Sequence, residues 1–308
     1  MTNHEVVVKD ALESADLKAG GYLNAQQSEK FIRGVLDQPT LLKTCRQVLI
    51  NGESKKIEKI GFGQRIMRPA TENTALDKKD YSKPDFGKVE LLTKEAIAEV
   101  RISYDTLENN IEGQGLKNTI INMIQQRVAL DLEELAINGD TTSSDAYLAM
   151  LDGWLKKATA HVVDAAGAKA DLSLWRGLIG AVPAKYRRVP DQWRIYTSHD
   201  IDLNWKTSIA ERNTVAGDRF LLQNTNASAL GYQIQPAAMF PVADSKSPAL
   251  LTHPNNLIAG FTRKVQIETD KDISARQVII VVTVKADFAI EEIDAVGVLK
   301  NLDATYSA

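Results

Sequence analysis

The sequence predicts an α+β fold. Three observations carry that prediction. A stretch in the first half repeats apolar residues every four positions, extended runs flank it on both sides, and a middle region alternates short helices with short strands. The chain has 308 residues, 44% hydrophobic and 25% charged. That composition can fill a sizeable core and excludes wholesale disorder.

Taken in order, Glu29 to Leu36 places Phe31, Ile32, Val35 and Leu36 on one helical face, and Pro39 ends that helix. Thr40 to Ile50 repeats the spacing with Leu41, Leu42, Cys45, Val48 and Leu49, so a second helix is expected up to Asn51-Gly52. From Ile57 the period changes. Ile60, Phe62 and Ile66 alternate with Gly61, Gly63 and Arg65, a strand pattern. A polar stretch from Pro69 to Asp85 follows, and then Val89 and Leu91 resume the extended pattern. Ala98, Val100 and Ile102 fall on the opposite parity, which calls for a bulge or bend between Thr93 and Ala96. The result is a long hairpin with a polar tip and little core of its own.

Leu116, Ile120, Ile124, Val128, Leu132 and Ala136 then mark an amphipathic helix over 115–138. Its length is about 36 Å at 1.5 Å per residue. Asn138-Gly139 closes it, with Gly139 expected in a left-handed cap. Asp131, Glu133 and Glu134 are expected on a solvated or subunit-facing surface, because no histidine or further acid stands at matching spacing. Gly139 to Asp145 reads as a polar linker and a candidate domain boundary. Beyond it, Leu172 to Val182 reads as a helix, Trp193 to Tyr196 as a strand, Ser198 onward as a helix and Leu230 to Ile234 as a strand. The chain closes on strands. Ile258 to Ile267 and Val278 to Val284 form a second ribbon with a charged tip.

The chemistry of an enzyme is not visible, and none is expected. Ser198-His199-Asp200 spells a hydrolase triad in letters, but adjacent residues rarely converge as nucleophile, base and orienter. Ser198 as a helix N-cap explains the same letters. The four histidines have no ligand spacing, and Gly61-Phe62-Gly63 lacks the third glycine and following helix of a dinucleotide loop. Cys45, the single cysteine, excludes an intrachain disulfide and reads as a small core residue. No cofactor or metal is expected. Net charge is −3, from 37 basic and 40 acidic residues, which argues against a dedicated nucleic-acid binder. No secretory signal is visible, and the longest apolar run, Val278 to Val284, is far short of the roughly 20 residues of a membrane helix. A chain without membrane contact is expected.

What remains is two projecting segments whose charged tips suit pairing with a neighbour's surface. On the first tip the candidate contacts are Arg65, Arg68, Asp77, Lys78, Lys79, Asp80, Tyr81 and Lys83. On the second they are Asp270, Lys271, Asp272 and Arg276.

The order of these parts resembles a tailed-bacteriophage major capsid protein of the Hong Kong 97 fold. VALDLEELAINGD from Val128 to Asp140 resembles the end of that family's spine helix, and ISYDTLENN from Ile102 to Asn110 resembles the turn before it. Leu230-Gly231-Tyr232, with Pro236 and Met239 to Pro241, resembles a strand of the family's axial domain. Asn255 to Val265 and Val281 to Ile290 resemble the closing strands of its peripheral domain. The resemblance implies an N-terminal arm (1–52), an extended E-loop (53–95), a peripheral domain (96–145 and 256–290) and an axial domain (146–255 and 291–308). It implies hexamers and pentamers of this chain in an icosahedral shell that encloses the phage genome, assembled in the host bacterial cytoplasm. A separate scaffolding protein, a portal and decoration proteins become candidate partners, with weak non-specific contact to packaged double-stranded DNA. Two other readings stay open: an encapsulin-like nanocompartment shell, and an unrecognised α/β enzyme whose hairpin is a lid.

Overall fold

The computed structural model describes residues 40–52, 54–61, 65–67, 69, 81–105, 116–211, 227–262 and 266–305. The helix expected over 29–36 lies outside them.

Thr40–Thr44 is a short helix (α1), and the chain then becomes a strand, Arg46–Ile50 (β1), where a continuous helix was expected. The apolar run fits either period. Leu49 is exposed while Ile50 is fully buried, and a parallel partner strand takes up the backbone groups of 46–50. Ser54–Gly61 (β2) and Asp85–Leu92 (β3) pair antiparallel as a separate two-stranded arm. The expected break falls at Thr93, after which Lys94–Ser103 (β4) joins the main sheet. The change of parity is the change of partner.

Leu116–Asn138 (α2) is the long helix. Trp154–Lys157 (α3) and His161–Asp164 (β5) follow. Leu172–Ala181 (α4) is capped by Asp171, whose carboxylate accepts the Leu174 N–H at 2.8 Å. Arg194–Thr197 (β6) leads into His199–Ala210 (α5), with Ser198 as its N-cap as the sequence suggested. Ser228–Ala229 (β7) and Tyr232–Pro236 (β8) turn at Leu230-Gly231, both at positive φ. Lys246–Thr252 (β9), Leu257–Thr262 (β10), Gln266–Asp272 (β11), Gln277–Ile290 (β12) and Val296–Asp303 (β13) complete the chain.

Two larger sheets result. In the first, β12 runs antiparallel to β10 and β11 along one side and to β4 along the other, and β1 adds in parallel beside β10. This is the second long ribbon of the sequence reading, with its tip at 273–276. The second sheet has the order β5-β13-β9-β6-β8-β7.

Helix α2 lies where the two sheets meet. Its expected stripe is buried at Ile124, Val128, Leu132 and Ala136, and the side chains of Val128 and Leu132 line a narrow gap against Ala98, Val282 and Val284. The same core takes in Leu41, Leu42 and Cys45, together with Tyr196, Leu250 and Val298 from the second sheet. Residues 40–50, assigned to an arm from the sequence, therefore belong to this core and its sheet. The opposite face of the second sheet packs Ile195, Leu251 and Leu299 with Trp175 and Leu178 of α4 and Trp205 of α5.

Two details of α2 differ from expectation. Gly139 does not take a left-handed conformation. Glycine is needed there for close approach. A Cβ would lie 2.4 Å from the Leu151 carbonyl oxygen and 2.6 Å from that of Leu135. Gly153 faces it, donates to the Gly139 carbonyl at 2.8 Å, and leaves as little room. Glu133 is buried at 1% exposure within the subunit, on neither a solvated nor a subunit-facing surface, and near enough to Cys45 for its charge to be felt by that thiol.

Candidate inter-subunit surfaces

The arm has two faces, set by the pleat. Ile57, Val89 and Leu91 point down onto Ile50, Ile258 and Ala289, on the side of the first sheet away from α2. Gly260 makes room beneath them, since a Cβ there would sit 2.9 Å from Ile50 Cδ1 and 3.0 Å from Leu91 Cδ1. Two polar ties fix the base. The buried carboxylate of Asp287 accepts the Leu92 N–H at 2.7 Å, beside the hinge at Thr93. Lys59 lays its stem across Gly87, where a Cβ would collide with it, and its ammonium donates to the Glu291 carbonyl at 3.1 Å and meets Glu292 at 2.8 Å. The arm's base thus packs on its own subunit.

The outer face is different. Lys56 stands opposite Glu90 at 3.5 Å and Glu58 opposite Lys88 at 3.7 Å, two cross-strand ion pairs open to water. Beyond them, toward the tip, the paired residues Ile60 and Phe86 are 65% and 69% exposed. Ile66, Met67 and Tyr81 continue that exposure. A set of large apolar side chains on a segment this narrow cannot be covered by the segment itself.

Of the candidate contacts chosen from sequence, Arg65, Tyr81 and Lys83 are exposed on the distal arm. Arg68, Asp77, Lys78, Lys79 and Asp80 lie outside the described residues. On the ribbon, Asp270 and Lys271 are exposed but lie in β11, paired with β12 and short of the tip, and Arg276 is exposed in the turn itself. Asp272 is committed to its own turn. It accepts the Ser274 hydroxyl at 2.6 Å and the Ala275 N–H at 2.9 Å, and these hydrogen bonds hold its carboxyl below the usual range. Arg276 has positive φ, and its carbonyl accepts the Tyr104 N–H, joining the tip to the end of β4. Sequence reasoning chose charges and passed over Ile60, Phe86 and Ile273, the last 81% exposed at the ribbon turn. A signal existed for the arm pair. Ile57 and Ile60 are three apart, so a strand cannot bury both on one face.

The residues that resembled chemistry are structural. Ser198 Oγ accepts the Ile201 N–H at 3.5 Å, and His199 is exposed. Burial pushes the Cys45 thiol up to about 12, and its Sγ donates to the Leu42 carbonyl at 3.2 Å. Among the described residues no group of histidine, cysteine and acidic side chains is arranged to hold a metal ion, and no helix is long and apolar enough to cross a membrane.

Comparisons with known proteins bear on the family and the fold. The model of the phage capsid family matches residues 19–301. A putative prophage capsid protein, YqbE of Bacillus subtilis (strain 168), is 48% identical over 305 residues, covering 96% of this chain and 98% of that protein. Among solved structures, a chain of the satellite phage P4 procapsid that includes the size determination protein superposes with a TM-score of 0.68 at 18% identity, covering 89% of this chain and 90% of that one. The SrpI encapsulin of Synechococcus elongatus PCC 7942 gives 0.57 at 13%, covering 87% and 89%. At such identities the two structures speak to the fold, which they share.

Proposed function

The chain belongs to the phage capsid family, and from that premise we propose how one subunit builds a shell. It is a structural major capsid protein of the Hong Kong 97 fold, a component of the virion capsid that assembles with copies of itself. The finer reading is ours. The two-stranded arm is the E-loop, and its distal apolar face, from Ile60 and Phe86 to Met67 and Tyr81, is completed by an adjacent subunit. The observation that carries this is the pairing of a fixed base with uncovered apolar side chains on the described part of the distal arm. A surface loop with no partner would have neither the buried Asp287 tie nor exposed phenylalanine and isoleucine side by side.

In this reading the first sheet with α2 forms the peripheral domain, and the second sheet with α4 and α5 forms the axial domain. Arg65, Arg68, Lys83 and the charged run 77–80 set the register of the arm on its neighbour. Asp270, Lys271 and Arg276 do the same for the ribbon tip. Hexamers and pentamers assemble in the host bacterial cytoplasm, with a scaffolding protein, portal and decoration proteins as further partners. A structural role, with no catalytic step, suits a chain whose polar groups serve caps, turns and ties. The encapsulin reading has no observation of its own beyond the shared fold, whereas the 48% identical relative bears a prophage capsid name.

The test is the assembly state of the full chain. Purified from an expressing bacterium and viewed by negative-stain microscopy, it should form closed shells, or rings of five and six. A monodisperse monomer at high concentration, unchanged by salt or by added scaffold, would contradict the reading.

A further inference from the structure

Between Arg176 and Arg194 the chain holds five cations and one carboxylate, Asp191, in a protein whose net charge is −3. The segment runs from the solvent face of α4 through the loop to β6. The loop is built of consecutive tight turns. Tyr186 and Arg187 donate N–H groups to the carbonyls of Pro183 and Ala184, and Gln192 and Trp193 to those of Val189 and Pro190. Pro183 and Pro190 restrict it further. Its cations are therefore held on a stiff frame. Arg187 Nε donates to the Val182 carbonyl at 2.7 Å, which leaves the other guanidinium nitrogens directed elsewhere. Lys185 lies 4.5 Å from the centre of the Tyr186 ring, and its partnership with the Tyr186 side chain holds its ammonium above the usual lysine range.

No ion pair among the described residues includes Arg176, Lys185, Arg187, Arg188 or Arg194. The arm, comparably rich in lysine, pairs Lys56, Lys59 and Lys88 with Glu90, Glu292 and Glu58. Arg194 is taken up by the carbonyls of Asp191 and Trp193. Four cations face solvent or lie at its edge, with Asp294 and Glu292 as the acids that Lys185 feels.

A second observation lies on α4. Gly177 and Gly180 are exposed within the helix next to Arg176, and a Cβ built on either meets nothing within 4 Å. Neither glycine is required by packing inside the subunit, and each weakens the helix. What they provide is a bare, exposed helical face next to Arg176, over which a polyanion can approach closely.

We propose that this surface, Arg176 with Gly177 and Gly180 on α4 and Lys185, Arg187 and Arg188 on the loop, is where the subunit meets the phosphate backbone of the enclosed duplex DNA. The proposal deepens the capsid reading and rests on it. Contact of this kind carries no sequence preference. It is weak per subunit and fades with salt, because its driving force is release of condensed counterions. Such binding gathers a genome without locking it.

The measurement is fluorescence anisotropy of a labelled mixed-sequence duplex of about 30 base pairs with the unassembled full chain, repeated across salt concentrations. Four phosphate contacts predict a slope of about −3.6 in log affinity against log salt. Lys185→Gln/Arg188→Gln should reduce that slope by about 1.8 and weaken low-salt binding roughly ten- to a hundredfold. Lys56→Gln/Lys88→Gln removes the same charge from the arm and should leave the slope unchanged. Sedimentation of the same preparations reads assembly separately. No duplex binding by the wild type at low salt, or equal loss in both variants, overturns the proposal while leaving the capsid reading intact. So does a loop variant that keeps its DNA slope and fails to assemble, since the loop would then contact another copy. Failure of the wild type to assemble at all, with the DNA slopes as predicted, would count against the capsid reading and not against the surface.

Discussion

Helix α2 and the β2–β3 arm both carry apolar residues and use them in opposite ways. Along α2 the stripe Ile124, Val128, Leu132 and Ala136 is covered inside the subunit by both sheets. Among the described residues of the arm, Ile57, Val89 and Leu91 are covered from within, and Ile60, Phe86 and Met67 are left to water. The first region specifies the subunit. The second is specified only in part by the subunit itself. The boundary between the two behaviours is sharp. It runs through Leu92 and Thr93, where Asp287 holds the backbone and the strand changes partner.

The comparison can be broken most severely at the helix. Val128→Asp puts a carboxylate into an apolar site at a cost of several kcal/mol, against total stabilities of about 5–15 kcal/mol. The expected outcome is insoluble or unfolded protein by circular dichroism, and a soluble, shell-forming variant would mean that the stripe faces water. Gly153→Ala tests the helix end. Its Cβ would stand 2.8 Å from the carbonyl oxygens of Ala136 and Ile137, and backbone cannot step aside as a side chain can. A loss of about 3 kcal/mol is expected in chemical denaturation.

Asp287→Asn acts on the boundary itself. It takes the charge from beside Lys157, 3.6 Å away, and leaves an amide where a carboxylate received N–H groups from Leu92 and Phe288. About 1–3 kcal/mol should be lost, with faster proteolysis within the arm than within the sheets. Glu90→Lys should do least. Its partner Lys56 is 61% exposed, and pairs of this kind contribute about 0–1 kcal/mol. A thermal midpoint shift of many degrees from that single change would show that the outer face is already buried in the subunit.

Much of this was legible in the sequence, for identifiable reasons. The long helix announced itself because its stripe persists over many turns, and the hinge because residues on either side of Thr93 sit on opposite parities. Local patterns failed where tertiary partners decide. Residues 46–50 could satisfy either period, and only the parallel strand at 257–262 makes them a strand. Glu133 was expected on a solvated or subunit-facing surface, but the fold buries it near Cys45, a residue far away in sequence. Gly139 was expected to serve a left-handed cap, a local role, and instead admits the backbone of 151–153. At the candidate contacts the pattern drew attention to charges. The uncovered apolar residues emerged only once the pairing of β2 with β3 fixed which side chains share a face.

The central claim is that the arm acts between subunits. Replacing Ala70 to Lys83 by a short Gly-Ser turn removes the tip and leaves both the Asp287 and Lys59 ties in place. Circular dichroism should report a folded subunit of unchanged helix content, and sedimentation should find no stable shells under conditions where the parent assembles. Shells from the shortened chain as heat-resistant as those of the parent would contradict the account.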